Sequence, residues 1–356
     1  LLRIRNQRDN ARYFRELPGC LGTAVGYKYN EQEQRFEERD GQRIPAILVF
    51  VREKIPYASL DPKWIVPERF VGPDGLECAS DVMVGDAPDE PIDTGNFSLA
   101  NERIWRDLHE KDLGVIGGLP IEAGGTKGTA GCVVRIEDGG VDAPSQGPRP
   151  RRRLGVLTNY HVAGFAGTRV YNNGGRASVL GSTLRSIAFA PPTESDGDLE
   201  GYLGGARHRV DLGLIELSPA SAKTVRAGVY GVRRLGRPYE LDLDTMGPIG
   251  MSVVGVGQTL ARQEGHIMAY GYLWRNDLDT QDWSATDYLV LGSGDQPFAA
   301  PGDSGKLIVT NDEDRRPIAL LWGGERHDFW NVPAQASCAY ATDIGLTLKL
   351  LNATIL

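Results

Sequence analysis

Ser304 stands between two glycines in "AAPGDSGKLIV" (299–309), at the apex of a turn that runs into an apolar strand. A serine hydroxyl is too weak a nucleophile to attack an amide. It needs a base within hydrogen-bond reach and a third group to orient that base. Five histidines compete for the role of base. His161, in "GVLTNYHVAG", follows an apolar strand and precedes a small-residue turn, a rigid position from which a catalytic group can be aimed. His109 lies in a charged helix and is expected to be exposed. His208 is in a basic loop, His266 opens a strand and is expected only to pack, and His327 follows Ser304 in a loop. For the orienting carboxylate the best candidate is Asp211, in "RHRVDLGLIEL". It enters an apolar strand, where a partly desolvated carboxylate needs a partner. Accepting the far N–H of His161 would meet that need and set the tautomer. Taken singly, each of these residues reads more simply as structural, with Asp211 capping a strand.

The order His161, Asp211, Ser304 is the one used by the chymotrypsin class of triad. Subtilisins run Asp, His, Ser, and α/β-hydrolases run Ser, Asp, His. The α/β-hydrolase elbow G-x-S-x-G also fails, because Lys306 occupies its last glycine. Separations of 50 (211 − 161) and 93 (304 − 211) residues suit His and Asp on one β-barrel and Ser on a second. The turn itself supplies an oxyanion hole, with the N–H groups of Gly302 and Ser304 converging on the developing charge.

The elements needed to hold these groups are legible around them. From about residue 113, short β-branched runs alternate with Gly-rich turns: "AGCVVRI", "GVLTNYHV", "DLGLIEL", "SVVGVG", "GHIMAYGYL", "TDYLVLG", "GKLIVT" and "IALLWGG". This texture predicts a mostly β body of sandwich or barrel type. In "TDIGLTLKLLN" the period changes, and Ile344, Leu348 and Leu351 predict a C-terminal helix over 342–352 with Thr342 as N-cap. Residues 1–85 read as a small α+β module. It has a charged helical start, strands at "LGTAVGYKY" and "IPAILVFVRE" (the latter central), a Pro-punctuated connection "LDPKWIVPERF", and a last strand "CASDVMVG". Residues 86–112 read as a linker, "DAPDEPIDTGNFSL", and a short helix at "ANERIWRDLHEK". The arginine-rich run "SQGPRPRRRLG" (145–155) reads as a solvated loop.

Composition bounds the partners. With 41% hydrophobic and 24% charged residues the chain has the make-up of a soluble globular protein, and its net charge of −8 argues against nucleic acid. No apolar run reaches the length of a membrane span. Cys20, Cys78, Cys132 and Cys338 are too scattered for a zinc site. The opening "LLRIRNQRDNARYFREL" lacks the apolar core of a secretory signal, so reduced thiols and a cytoplasmic setting are expected. The chain opens at Leu1 rather than methionine, and a piece upstream is expected to be missing.

With these residues in view the sequence resembles trypsin-like serine proteases through "TNYHVAG", "DLGLIEL" and "PGDSGKLIV". More narrowly it resembles the Narrow Leaf group of intracellular proteins of this type. That narrower likeness runs through "GTAGCVVR", "GMSVVGVGQTLARQEGHIMAYGYL", "TDYLVLGSGDQPFAAPGDSGKLIV" and "ALLWGG", and into the first segment at "LPGCLGTAVGYKY", "IPAILVFVREKIP" and "IVPERFVGPDG". The resemblance implies a chymotrypsin-like double β-barrel over 113–356, with barrel one at about 113–220 and barrel two at about 245–340. His161 would be base, Asp211 orienter and Ser304 nucleophile. It implies Phe298 near the base of the primary specificity pocket, and Trp322 and Gly323 along the strand that pairs with an extended substrate. "GVIGGLP" (114–120) resembles a mature trypsin N-terminus, whose freed amine would pair with Asp303. Similar Gly-rich entries occur in relatives without such cleavage, and local hydrogen bonds are then expected to hold Asp303.

The function so implied is that of a serine endopeptidase acting on protein or peptide substrates in limited, regulatory proteolysis, with no metal or organic cofactor. A homo-oligomer fits this group. The alternative is a latent or partner-activated binding or scaffold protein on a protease fold; a third reading keeps the activity but gates the cleft, by the first module or the loop at 193–207, until a partner binds.

Overall fold

The β-branched runs become strands because alternate side chains find an apolar core on one face and a second layer on the other. A computed structural model describes residues 1–31, 33, 35–85, 88–89, 101–137, 153–174, 178–191, 206–232, 234–242, 245–276, 282–293, 297–325 and 338–356. Six of its strands close into a ring, every pair antiparallel. Ser252–Gly257 pairs with Ala261–Arg275, then follow Trp283–Gly292, Cys338–Asp343, Pro317–Glu325 and Leu307–Thr310, which returns to Ser252–Gly257.

The other β unit is a curved antiparallel sheet. Its order is Thr126–Thr129, Pro120–Ala123, Arg169–Asn172, Ser178–Phe189, Arg207–Leu217, Arg153–Thr158, Val133–Ile136 and Ala353–Ile355. The two units join where Arg207–Leu217 runs parallel to Trp283–Gly292 at His208 and Ala285. They also share a core, in which Val156, Leu157 and Leu214 of one pack with Val254, Val256 and Leu320 of the other. Each such side chain, fully buried, contributes roughly 1.5–3 kcal/mol. The C-terminal helix is Ile344–Leu351. Its N-cap is Asp343 rather than Thr342: the Asp343 carboxylate accepts from the Leu346 N–H, while the Thr342 hydroxyl donates to the Val210 carbonyl. Beyond the helix, Ala353–Ile355 adds an unforeseen strand to the first unit.

The first segment shares a sheet with the body. Its strand Cys20–Tyr27 pairs with Pro45–Val51 on one edge and with the long ring strand Ala261–Arg275 on the other. A Cβ at Gly22 would meet the Tyr272 ring at 2.7 Å, so this register needs glycine there. Pro45–Val51 is central, as its unbroken apolar run implied, with Glu77–Val84 parallel on its far side. The charged opening forms two helices, Leu2–Asn6 and Arg8–Glu16, and buried Arg5 donates to the Gly271 carbonyl of the ring. Helix Glu102–Glu110 follows the linker. Of the run at 145–155 only residues 153–155 lie among the described residues, and there Arg153 makes a two-pronged ion pair with Glu216, Nε at 2.7 Å. Most of the loop at 193–207, and His327, lie outside the described residues. None of the four cysteines is in a disulfide. Among the described residues no helix is long and apolar enough to cross a membrane.

Candidate active site

Strand Arg153–Thr158 ends at Asn159, and the next residues turn once as a short helix, Tyr160–Ala163, that carries His161. His161 Nδ1 lies 3.0 Å from Asp211 Oδ2, and its backbone N–H donates to Asp211 Oδ1 at 3.2 Å. Asn159 donates from Nδ2 to the Asp211 carbonyl at 2.8 Å, and Arg209 from Nη2 to Asp211 Oδ2 at 3.0 Å. Asp211 has φ +49°, a region costly for a residue with a Cβ. These contacts hold it there. Burial pushes the Asp211 carboxyl up, but the His161 hydrogen bond and the charges of His161 and Arg209 outweigh it and leave the group below its ordinary value. With Asp211 ionised the proton sits on His161 Nδ1, so Nε2 is the basic nitrogen.

Ser304 is held by its backbone. Its carbonyl accepts from the Thr129 N–H at 2.7 Å, and the Thr129 hydroxyl donates to the Gly302 carbonyl at 2.9 Å. Gly305, φ +94°, passes so close to Thr129 and Thr158 that a Cβ there would meet the Thr158 Cα at 3.2 Å. Thr158 is three residues from His161, so the turn and the His161 helix meet across the two β units. Among the described residues the N–H groups of Gly302 and Ser304 have no acceptor, and the Ser304 hydroxyl and His161 Nε2 have no hydrogen-bond partner, one another included. The serine turn and the His161–Asp211 pair are thus tied together through Thr129 and Thr158, with these polar groups left unengaged.

Between those donors, Asp303 is fully buried. Its Oδ1 accepts from the Thr259 and Leu260 N–H groups at 2.9 and 3.3 Å, and its Oδ2 from the Ala300 N–H at 3.3 Å. Lys306 is also fully buried, with Nζ 3.2 Å from Asp303 Oδ2, 2.5 Å from the Phe298 carbonyl and 4.6 Å above the Phe298 ring.

Of the residues expected around the substrate, two have buried side chains and all three are held by the ring. Phe298 and Trp322 are each 0% exposed, so neither side chain offers a surface. Phe298 lies in the ring's core under Lys306. The chain bulges between Leu321 and Gly323, and Trp322 turns inward, stacking on Tyr340 and donating from Nε1 to Thr286 Oγ1 at 3.0 Å. Arg209 covers it at 4.3 Å, so one guanidinium spans Trp322 and Asp211. Gly323 sits on strand Pro317–Glu325, paired with Tyr340.

His109 is half-buried rather than exposed, with Nε2 2.8 Å from the Gln258 carbonyl. His266 packs against Phe36, and burial, reinforced by Arg43, pulls it down to about 4. Arg209, Asn159, Thr129 and Lys306 are the site residues that motif reasoning passed over. Arg209 shares a strand face with Asp211 two residues on, and a lysine opening the apolar run "KLIVT" three residues after an aspartate is itself a signal for a buried pair.

His208 is inside a strand rather than in a loop, with Nε2 3.1 Å from Asp287 Oδ1 where the β units join. Burial alone would lower it, but the charge of Asp287 and, further off, Asp343 raise it. Asp343 is pushed up to about 6, first by burial and then by Asp287. A carboxyl raised from 3.8 to about 6 binds protons more tightly folded than unfolded, so its ionisation costs stability progressively from about pH 4 to 6 and fully above. Asp343→Asn keeps an acceptor for the Leu346 N–H. We expect it to stabilise the chain by roughly 2 kcal/mol at pH 8 and by little at pH 4, read from denaturant midpoints. Equal effects at both pH values would contradict this.

The pattern described as Nal1 C-terminal domain matches residues 102–352, and that described as NARROW LEAF 1 N-terminal domain matches residues 1–83. This chain belongs to the NARROW LEAF 1 family. The curated relative Protein NARROW LEAF 1 of Oryza sativa subsp. japonica is 29% identical over 317 residues, 85% of this chain and 51% of the relative. The chain thus spans about half the length of that relative. Solved structures similar to it include Thermobifida fusca protease A, at 18% identity and TM-score 0.43, covering 68% of this chain and 98% of that one. Nocardiopsis protease is similar at 17% identity and TM-score 0.40, covering 68% and 98%. In this family member the resemblance read from "GTAGCVVR" and "PGDSGKLIV" therefore reaches both the first segment and the β body.

Proposed function

We propose that this NARROW LEAF 1 family member is a serine endopeptidase that cleaves protein substrates in limited, regulatory proteolysis. The observation that carries it is the Asp211–His161 pair beside a Ser304 turn with two idle N–H groups. Ser304 Oγ attacks the scissile carbonyl carbon while His161 Nε2 takes the hydroxyl proton. The carbonyl oxygen, now anionic, receives hydrogen bonds from Gly302 and Ser304 N–H. His161 returns the proton to the leaving amine as the C–N bond breaks, leaving an acyl-serine. Water, deprotonated by the same nitrogen, then releases the acid. Side chains and amides suffice for every step.

Treatment with a fluorophosphonate is expected to add one label per chain at Ser304, with none on Ser304→Ala or His161→Ala. Well-folded wild type that takes no label would sink the proposal.

One contact favours the partner-activated alternative. The strand edge at Trp322–Gly323, open among the described residues, continues at Gly324 and Glu325, which pair with Asp89 and Pro88 of the chain's own linker. An extended substrate adding to this edge would meet that segment. Cutting a protease site engineered into residues 91–100 would then accelerate labelling at least tenfold; no acceleration argues for a constitutively open site.

A further inference from the structure

We propose that Lys306 is a positioning residue for the oxyanion hole. Its buried ammonium, anchored on the Phe298 carbonyl and the Asp303 carboxylate, holds the Gly302–Ser304 turn in reactive shape in the uncut chain, with no freed α-amine required. This rests on the peptidase reading above.

Asp303 lies between the two residues whose N–H groups would bind the oxyanion, so anchoring its carboxylate restrains the backbone on both sides. A donor aimed at developing charge is worth most when it is already fixed in place. Both Asp303 oxygens are occupied as the chain stands, Oδ1 by two backbone N–H groups and Oδ2 by Lys306 Nζ and the Ala300 N–H. A buried carboxylate without a cation would be strongly unfavourable, and Lys306 is the cation.

The neighbouring strand is cut to fit this pair. A Cβ at Gly255 would meet the Lys306 stem at 2.9 Å, and one at Gly257 would meet the Asp303 carboxylate carbon at 2.8 Å. Two glycines, two residues apart on one strand face, thus leave the space that the pair fills. The segment that resembles a cleaved N-terminus is engaged elsewhere. Val115 is buried in a short strand parallel to Val225–Val229, and the Gly114 N–H donates to Asp112 Oδ1 at 3.3 Å.

The test combines intact-mass analysis of fluorophosphonate-treated wild type with labelling rates of Lys306→Met and of Asp303→Asn/Lys306→Met, each with a thermal unfolding curve. Wild type is expected to label on chains whose 114–115 bond is intact. Lys306→Met should label at least about 100-fold more slowly, in the range of a lost oxyanion donor. The double variant buries no charge, so it should recover the unfolding temperature but not the rate, and it keeps the test open should the single variant not fold. Three outcomes overturn the role: wild-type rates in folded Lys306→Met, a rate that returns with stability in the double variant, or label found only on cut chains. Absence of label on any wild-type chain overturns the peptidase reading and this role together. A labelled wild type with an equally fast Lys306→Met overturns the role alone.

Discussion

Ser304→Ala and His161→Ala are each expected to lower peptide turnover about 10⁶-fold, and Asp211→Asn about 10⁴-fold, without loss of the fold. The Ser304 hydroxyl bonds to nothing among the described residues, so its removal leaves no orphaned group. Loss of the His161 ring leaves Asp211 its bonds from Arg209, from the His161 backbone N–H and, through its carbonyl, from Asn159. Asp211→Asn acts through the tautomer. An amide N–H facing His161 Nδ1 requires that nitrogen to accept, which moves the ring proton to Nε2 and leaves no base for Ser304. The Asp211 carboxyl is held below its ordinary value, so the stability it contributes is present above about pH 4 and is lost only as pH falls through the lower folded value. Its protonation therefore cannot set an activity loss near neutrality. Initial rates on a peptide substrate beside far-ultraviolet circular dichroism would check all three variants. Because the groups act as one unit, Ser304→Ala/His161→Ala should be no worse than either alone; fully additive losses would refute the triad.

Gly302→Ala is expected to cost about 10²- to 10³-fold in turnover, the scale of one oxyanion donor. Gly302 has φ +91°, which side chains with a Cβ rarely adopt, at a strain of order 1–3 kcal/mol. A Cβ there would also meet Thr259 Oγ1 at 2.8 Å and the Gln258 amide carbon at 3.1 Å. Thr259 cannot easily yield, because its hydroxyl donates to the Pro301 carbonyl and its N–H donates to Asp303 Oδ1. Relief must come from rotation of the 301–302 peptide, which turns the Gly302 N–H away from the reacting carbonyl. The loss should fall on kcat with KM little changed, since this bond forms fully only in the transition state. A variant within twofold of wild type would remove Gly302 from the oxyanion hole.

Local chemistry carried much of the fold. The unbroken apolar run "PAILVFV" implied a central strand, and Pro45–Val51 has strands on both edges. The change of period after Asp343 implied the last helix, and Ile344 and Leu351 are buried along it. The N-cap went to the neighbour because Thr342 found the Val210 carbonyl, an acceptor 132 residues away that no local rule contains. The inward turn of the Trp322 side chain was not legible for a related reason. Strand alternation sets which face a side chain takes, and a one-residue bulge reverses it.

Residue types and order alone pointed to His161, Asp211 and Ser304 as a candidate set, because few side chains can act as base, orienter and nucleophile, and the fold places His161 Nδ1 3.0 Å from Asp211 Oδ2. Tertiary structure decided what supports them. Arg209 lies between Asp211 and Trp322, Thr129 pins the serine turn, the first segment extends the ring's sheet, and Lys306 fills the space left by Gly255 and Gly257. Those roles depend on which distant groups share a desolvated space, and burial gives a charge or an N–H its meaning only once its partner is in place.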